Sequence, residues 1–237
     1  IAMTKLMEDV SNIDVCNFIV NHYLEAKTPI KAIQTLEQAI SQLNWMMDSF
    51  EIHELLKQKI EIYKEIGDKQ SIIDTYRLLF RTNDGNLEYY HQLKQLIPKE
   101  QWPSYLDKLM NDTTFCEFFM EDDPNNKAEI LIEEKKIQEL ATYLLELDDF
   151  VALDAYIQYI NKVPTAYLPP IIERYIHLLQ QYVDGGTGSS NYENTAQHIR
   201  CIMQLPGGKQ PALEFVEKLR THYTNRPALK RVLKEFI

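Results

Sequence analysis

The chain has 237 residues, of which 45% are hydrophobic and 25% charged, a balance that excludes intrinsic disorder. Seven glycines are too few for the many tight turns of a sandwich or barrel, since a typical chain carries about 7% glycine. A formal charge of -10 opposes a surface that lies along phosphate backbones as a whole, although residues 209–237 hold seven basic and three acidic residues, a net of +4 against -14 on the rest.

Apolar residues recur at helical spacing along nearly the whole chain. Thr28-Pro29 supplies a cap and a first-turn proline, which predicts one helix around Val15 to Ala26 and another around Ile30 to Leu43. Ile52, Leu55, Leu56, Ile60, Tyr63 and Ile66 then form one apolar stripe that stops at Gly67-Asp68. Glycine can take the left-handed position ending that helix and Asp68 can cap the next, whose stripe is Ile72, Ile73, Tyr76, Leu79 and Phe80. Asn86 opens a helix through Leu87, Tyr90, Leu93 and Leu96. Ile97-Pro98 ends it, and Trp102 to Leu109 begins another.

Glu121-Asp122-Asp123-Pro124 breaks the pattern, and Asn125 starts a shorter hairpin with Ile130, Leu131 and Ile132 in one helix and Ile137, Leu140, Ala141, Leu144 and Leu145 in the next. Helices over Phe150 to Ile160 and Pro170 to Val183 follow, divided by Pro164 and Pro169-Pro170. Residues 184–190, rich in glycine and serine, read as a flexible connection before the last hairpins. About 12 to 13 helices in pairs predict an all-α chain, an α-solenoid of stacked antiparallel hairpins. Its expected organisation is a helical-repeat array over 1–183, the connection at 184–190, and C-terminal hairpins over 191–237 packed on the same array.

The segment Ile60 to Asp68 resembles the first helix and turn of a tetratricopeptide repeat, with Tyr63 four residues before Gly67-Asp68, although Ile60 and Ile72 stand where such repeats favour small residues. A wider resemblance rests on Ile62 to Asp68, Leu87 to Lys94, Trp102 to Leu106, Leu219 to Tyr223 and Arg226 to Leu229, which are similar to the helical region of bacterial SWIM zinc-finger proteins. That family's zinc motif, Cys-x-Cys followed by Cys-x-His, is absent, so its metal function passes to no residue here. The resemblance implies scaffolding, either protein-binding or nucleic-acid-associated, with the finger outside this sequence.

Cys16, Cys116 and Cys201 are odd in number and far apart, the pattern of reduced thiols in a reducing compartment. With no apolar run of membrane length and no signal-peptide pattern, a cytoplasmic protein is expected. The first residue, Ile1, suggests a piece of a longer chain.

His198 and Cys201 lie three apart on one helical face, with His222 available from the next hairpin, but a structural zinc normally needs four ligands, so no metal and no cofactor is expected. The glycine-rich stretch follows a helix and lacks the Gly-Lys-Ser/Thr ending of a phosphate loop, and Pro206-Gly207-Gly208-Lys209 reads as a helix terminator. His53-Glu54 lacks the second histidine of a metalloprotease helix. Glu121, Asp122, Asp123, Glu133, Glu134, Asp148 and Asp149 read as solvated faces and helix N-termini.

Two surfaces remain as candidates for binding. Tyr89, Tyr90, Tyr156, Tyr159 and Tyr175 fall on predicted helices, where tyrosines could line a peptide-binding groove or pack in the core. Arg220, Arg226, Lys230, Arg231 and Lys234 could form a basic patch for phosphate or an acidic partner, or the polar face of a capping helix. The function expected is a non-enzymatic scaffold for a protein partner or for other domains of the parent chain, with an accessory nucleic-acid-binding module as the alternative and no role in a membrane.

Overall fold

A computed structural model describes residues 5–83, 85–111, 124–147 and 149–236. Among these residues the chain is all-α, with thirteen α-helices, four short 3-10 turns and no strand. No helix among them is long and apolar enough to cross a membrane. The chain divides into two compact units, Ile1–Asp123 and Pro124–Ile237. The expected break at Glu121–Asp123, together with Cys116 and Asp148, lies outside the described residues.

The first unit holds α1 (Ile13–Glu25), α2 (Pro29–Gln42), α3 (Ser49–Ile66), α4 (Lys69–Thr82), α5 (Leu87–Leu96) and α6 (Trp102–Asn111). Short polar side chains start several of them by accepting orphan N–H groups: Asn12 Oδ1 takes Asp14 N–H at 3.0 Å, Asp68 Oδ1 takes Ser71 N–H at 3.1 Å, and Asn86 Oδ1 takes Glu88 N–H at 2.8 Å. From α1 to α5 each helix packs on the next. Asn17 on α1 also accepts a hydrogen bond from Gln58 on α3 at 3.0 Å. Thr28 departs from its expected role. Because Pro29 occupies the first turn without an N–H, the Thr28 hydroxyl turns back and donates to the Tyr23 carbonyl at 3.0 Å, closing α1 instead of capping α2.

One turn is built three times. Lys27, Gly67 and Lys135 each adopt the left-handed conformation, at φ 56, 77 and 58. The residue after each donates its N–H five positions back, Thr28 to Tyr23 at 2.8 Å, Asp68 to Tyr63 at 3.0 Å and Lys136 to Leu131 at 2.8 Å. Superposing the turns aligns the chain with itself. Tyr23 and Glu25 match Tyr63 and Glu65 at an offset of 40, and the buried Ala32, Ile33, Thr35, Leu36 and Ala39 match the buried Ile72, Ile73, Thr75, Tyr76 and Leu79. Thr35 and Thr75 also make the same bond, each hydroxyl donating to the carbonyl four residues back, at 2.9 and 2.7 Å. In the third hairpin Leu131, Leu140, Ala141, Leu144 and Leu147 are buried at corresponding places. Fully burying each such leucine contributes about 1.5–3 kcal/mol.

The second unit holds α7 (Pro124–Glu133), α8 (Ile137–Glu146), α9 (Asp149–Tyr159), α10 (Leu168–Gly185), α11 (Ser189–Gln204), α12 (Lys209–His222) and α13 (Pro227–Val232), closed by the 3-10 turn Leu233–Phe236. From α7 through α11 every helix packs against the next and against the next but one. Pro169 and Pro170 do not divide helices. They lie in the first turn of α10, where a missing N–H costs nothing.

The connection expected at 184–190 is shorter than its composition suggests and does not separate the units. α10 runs through Gly185 and α11 starts at Ser189, with both helices packed together inside the second unit. The α11–α12 turn ends as expected, with Gly207 at φ 79. At Gly208 a side chain would collide with the Ile202 carbonyl, so the closeness of the two helices rests on glycine there.

Candidate functional site

The five tyrosines expected on a groove are interior. Tyr90, Tyr156 and Tyr175 are 0% exposed and Tyr89 and Tyr159 are 4% exposed, so none lines a docking surface. Their rings extend the apolar stripes, and the hydroxyls of Tyr90, Tyr156, Tyr159 and Tyr175 bond within the chain. Tyr156 donates to the Leu144 carbonyl at 2.9 Å, Tyr159 donates to Asn125 Oδ1 at 3.2 Å, and Tyr90 accepts from Lys94 at 2.9 Å. Tyr89 packs on Tyr76 with ring centroids 6.3 Å apart.

Tyr175 belongs to a buried polar cluster at the crossing of α9, α10 and α11. Its hydroxyl lies 2.8 Å from His198 Nδ1, with the Cys201 side chain nearby, while Tyr156 meets it edge-on at 4.9 Å. The rings of Tyr175 and Tyr182 both stand edge-on to the imidazole, at 5.7 and 6.2 Å. Burial holds His198 below the usual histidine range, with Asp154 pulling weakly the other way. Burial likewise raises the Tyr175 hydroxyl and the Cys201 thiol, which keeps the sulfur in its unreactive protonated form. Cys16, also buried, is pushed up to about 11. His222 packs against Tyr223 at 4.7 Å and does not join His198 and Cys201. Among the described residues no three His, Cys, Asp or Glu side chains come together to hold a metal ion.

The five basic residues differ in their surroundings. Arg226 is half-buried: it donates to the Val183 carbonyl at 2.7 Å and to Gly186 at 3.5 Å, and its guanidinium stacks 4.1 Å from the Tyr223 ring centroid. That arginine closes the C-terminal end of α10 and its charge is spent on packing. Arg220 pairs with Glu217 at 3.3 Å, Lys230 is half-buried, and Lys234 is exposed. Arg231 faces a different neighbourhood, a cleft of about 540 Å³ between α11 and the α13 end, lined by Glu193, Asn194, Gln197, Arg200, Val232 and Glu235.

Large apolar side chains reach solvent elsewhere. Met46 is 73%, Met47 83% and Phe50 72% exposed, all on or beside the α2–α3 loop, with Phe18 at 60% on α1. The loop is built, with Asn44 N–H donating to Asp48 Oδ2 at 2.9 Å, Met46 N–H to Asn44 Oδ1 at 2.9 Å, and Asp48 N–H to the Asn44 carbonyl at 2.8 Å. Asp48 is thereby turned into the loop and does not cap α3. The signal for this knuckle was in the sequence: Trp45, Met46, Met47 and Phe50 cluster where the helical period lapses between two stripes. A smaller apolar groove of about 350 Å³ lies in the second unit between Pro169, Ile172 and Ile176 on α10 and Pro206, Gly207 and Pro211 at the α11–α12 turn. No protein-family model, no curated protein and no solved structure matches this chain.

Proposed function

We propose that this chain is a non-catalytic helical-repeat scaffold, an α-solenoid of tetratricopeptide-like hairpins as the resemblance to SWIM zinc-finger proteins implies, which docks a protein partner or another domain of its parent chain. The observation that carries this reading is the hairpin built three times, with one turn geometry and one set of buried positions. The packing of each helix from α7 through α11 on the next two supports it, because hairpins that share their interiors pack in that way. In this reading the tyrosines, His198 and Cys201 serve packing, and the docking element is the rigid knuckle of Met46, Met47 and Phe50. Methionine and phenylalanine suit that role, being large, apolar and, for methionine, adaptable in shape.

The test is co-purification with the intact parent protein. Substituting Met47→Glu together with Phe50→Glu should abolish retention of the proteins that the wild-type chain holds, while the thermal midpoint stays where it was, since both side chains are exposed. Unchanged retention in the double variant would remove the knuckle from the proposal. A wild-type chain that retains nothing beyond bare resin would remove the scaffold reading itself.

A further inference from the structure

The cleft between α11 and α13 holds polar groups that the fold does not use. Glu193, Asn194, Gln197 and Arg200 lie along one face of α11, and Arg231, Val232 and Glu235 close the other side. Its volume, about 540 Å³, falls within the span typical of small-molecule sites. Arg200 is already committed, bonded to Glu235 at 2.6 Å with its guanidinium 6.0 Å from the Phe236 ring centroid. Asn194 donates to the Tyr182 hydroxyl at 3.3 Å, which orients its amide. Among the described residues Glu193, Gln197 and Arg231 have no partner within the chain. One carboxylate, one guanidinium and one amide are therefore left facing the same cleft, over an aliphatic floor of Ala196 and Val232.

That combination discriminates between ligands by charge. A simple anion would satisfy Arg231 and be repelled by Glu193, and a simple cation would meet the reverse. A ligand carrying both charges engages the two groups together through charge-assisted hydrogen bonds, which are stronger than those a neutral ligand makes. We propose that the cleft binds a free α-amino acid, its carboxylate on Arg231, its ammonium on Glu193 and its side chain toward Gln197 and Val232. The site is independent of the knuckle in the first unit, so it stands or falls separately from the scaffold reading.

The experiment is a titration of the whole chain followed by backbone NMR, with L-alanine, L-leucine and L-glutamine as probes. At least one should shift the amides of residues 193–200 and 231–235 saturably. The matching N-acetyl amino acid, which lacks the ammonium, and the amino acid amide, which lacks the carboxylate, should each bind about tenfold more weakly or less. Glu193→Gln and Arg231→Gln should impose the same loss on the zwitterion with the thermal midpoint unchanged, since both side chains are exposed. The proposal is overturned if none of the three amino acids shifts those amides, if the blocked derivatives bind as well as the zwitterion, or if both variants bind it undiminished.

Discussion

His198 enters the core of the second unit as a neutral ring, because burial outweighs the opposing pull of Asp154 and the Tyr175 hydroxyl meets its Nδ1 at 2.8 Å. In the unfolded chain the same imidazole titrates near its ordinary value of about 6.5. As pH falls, the unfolded state therefore takes up the proton first. The contribution of His198 to stability is complete above the ordinary histidine range, begins to fall as pH drops through it, and keeps falling until the depressed folded-state value is passed. Thermal midpoints measured from pH 8 to pH 5 should accordingly drop more steeply for the wild-type chain than for His198→Gln, which lacks the titrating group and should be the less stable of the two at neutral pH. Equal slopes would show that the buried imidazole does not titrate as its surroundings require. Little of this site could be read from the sequence. His198 and Cys201 were visible as neighbours on one helical face, but their partner Tyr175 comes from another helix, and no local spacing announces it.

At the level of the helices, the hairpin turns separate two ways of ending a helix in the left-handed conformation. Gly67 does so without strain, and the space around its α-carbon is empty, so Gly67→Ala adds backbone strain and nothing else. Lys27 and Lys135 do so against the cost of a side chain, roughly 1–2 kcal/mol, and both are exposed with no ion pair to lose among the described residues. Gly67→Ala should therefore destabilise by about 1 kcal/mol, while Lys27→Gly and Lys135→Gly should each stabilise by about 0.5–1 kcal/mol once the extra freedom of glycine in the unfolded chain is deducted. Chemical denaturation at constant slope would check all three, and a loss of stability in both lysine variants would count against the shared turn. The same contrast explains what was legible. Gly67-Asp68 announced its turn because both residues favour that geometry intrinsically. At Lys27 and Lys135 the residue in the left-handed position has no intrinsic preference for it, so the 40-residue self-similarity has no local signal in the sequence.

For the whole molecule, the helical period reported that stripes are buried without saying against what. In layers where helices pack on both sides, tyrosines such as Tyr90 and Tyr156 have no outer face to occupy, and periodicity cannot distinguish an inner wall from a groove. At residues 184–190 glycine signals local freedom, while Arg226 ties the Val183 and Gly186 carbonyls, at the N-terminal side of that stretch, to the start of α13. The division between units instead falls at Asp123 and Pro124, and the second unit has a core of its own that runs from Leu131 and Leu144 through Tyr156, Tyr175 and Ile199 to Leu219 and Leu233. A unit whose helices from α7 through α11 each pack on the next two has the long-range contacts needed for cooperative folding. Residues 124–237 expressed alone should then give a helical far-UV spectrum, a single sigmoidal thermal transition and no binding of apolar dye. His198→Gln should lower that transition as it does in the whole chain, because the ring's partners all lie within the unit. A broad, featureless melt with dye bound would mean that the core of the second unit is not sufficient by itself.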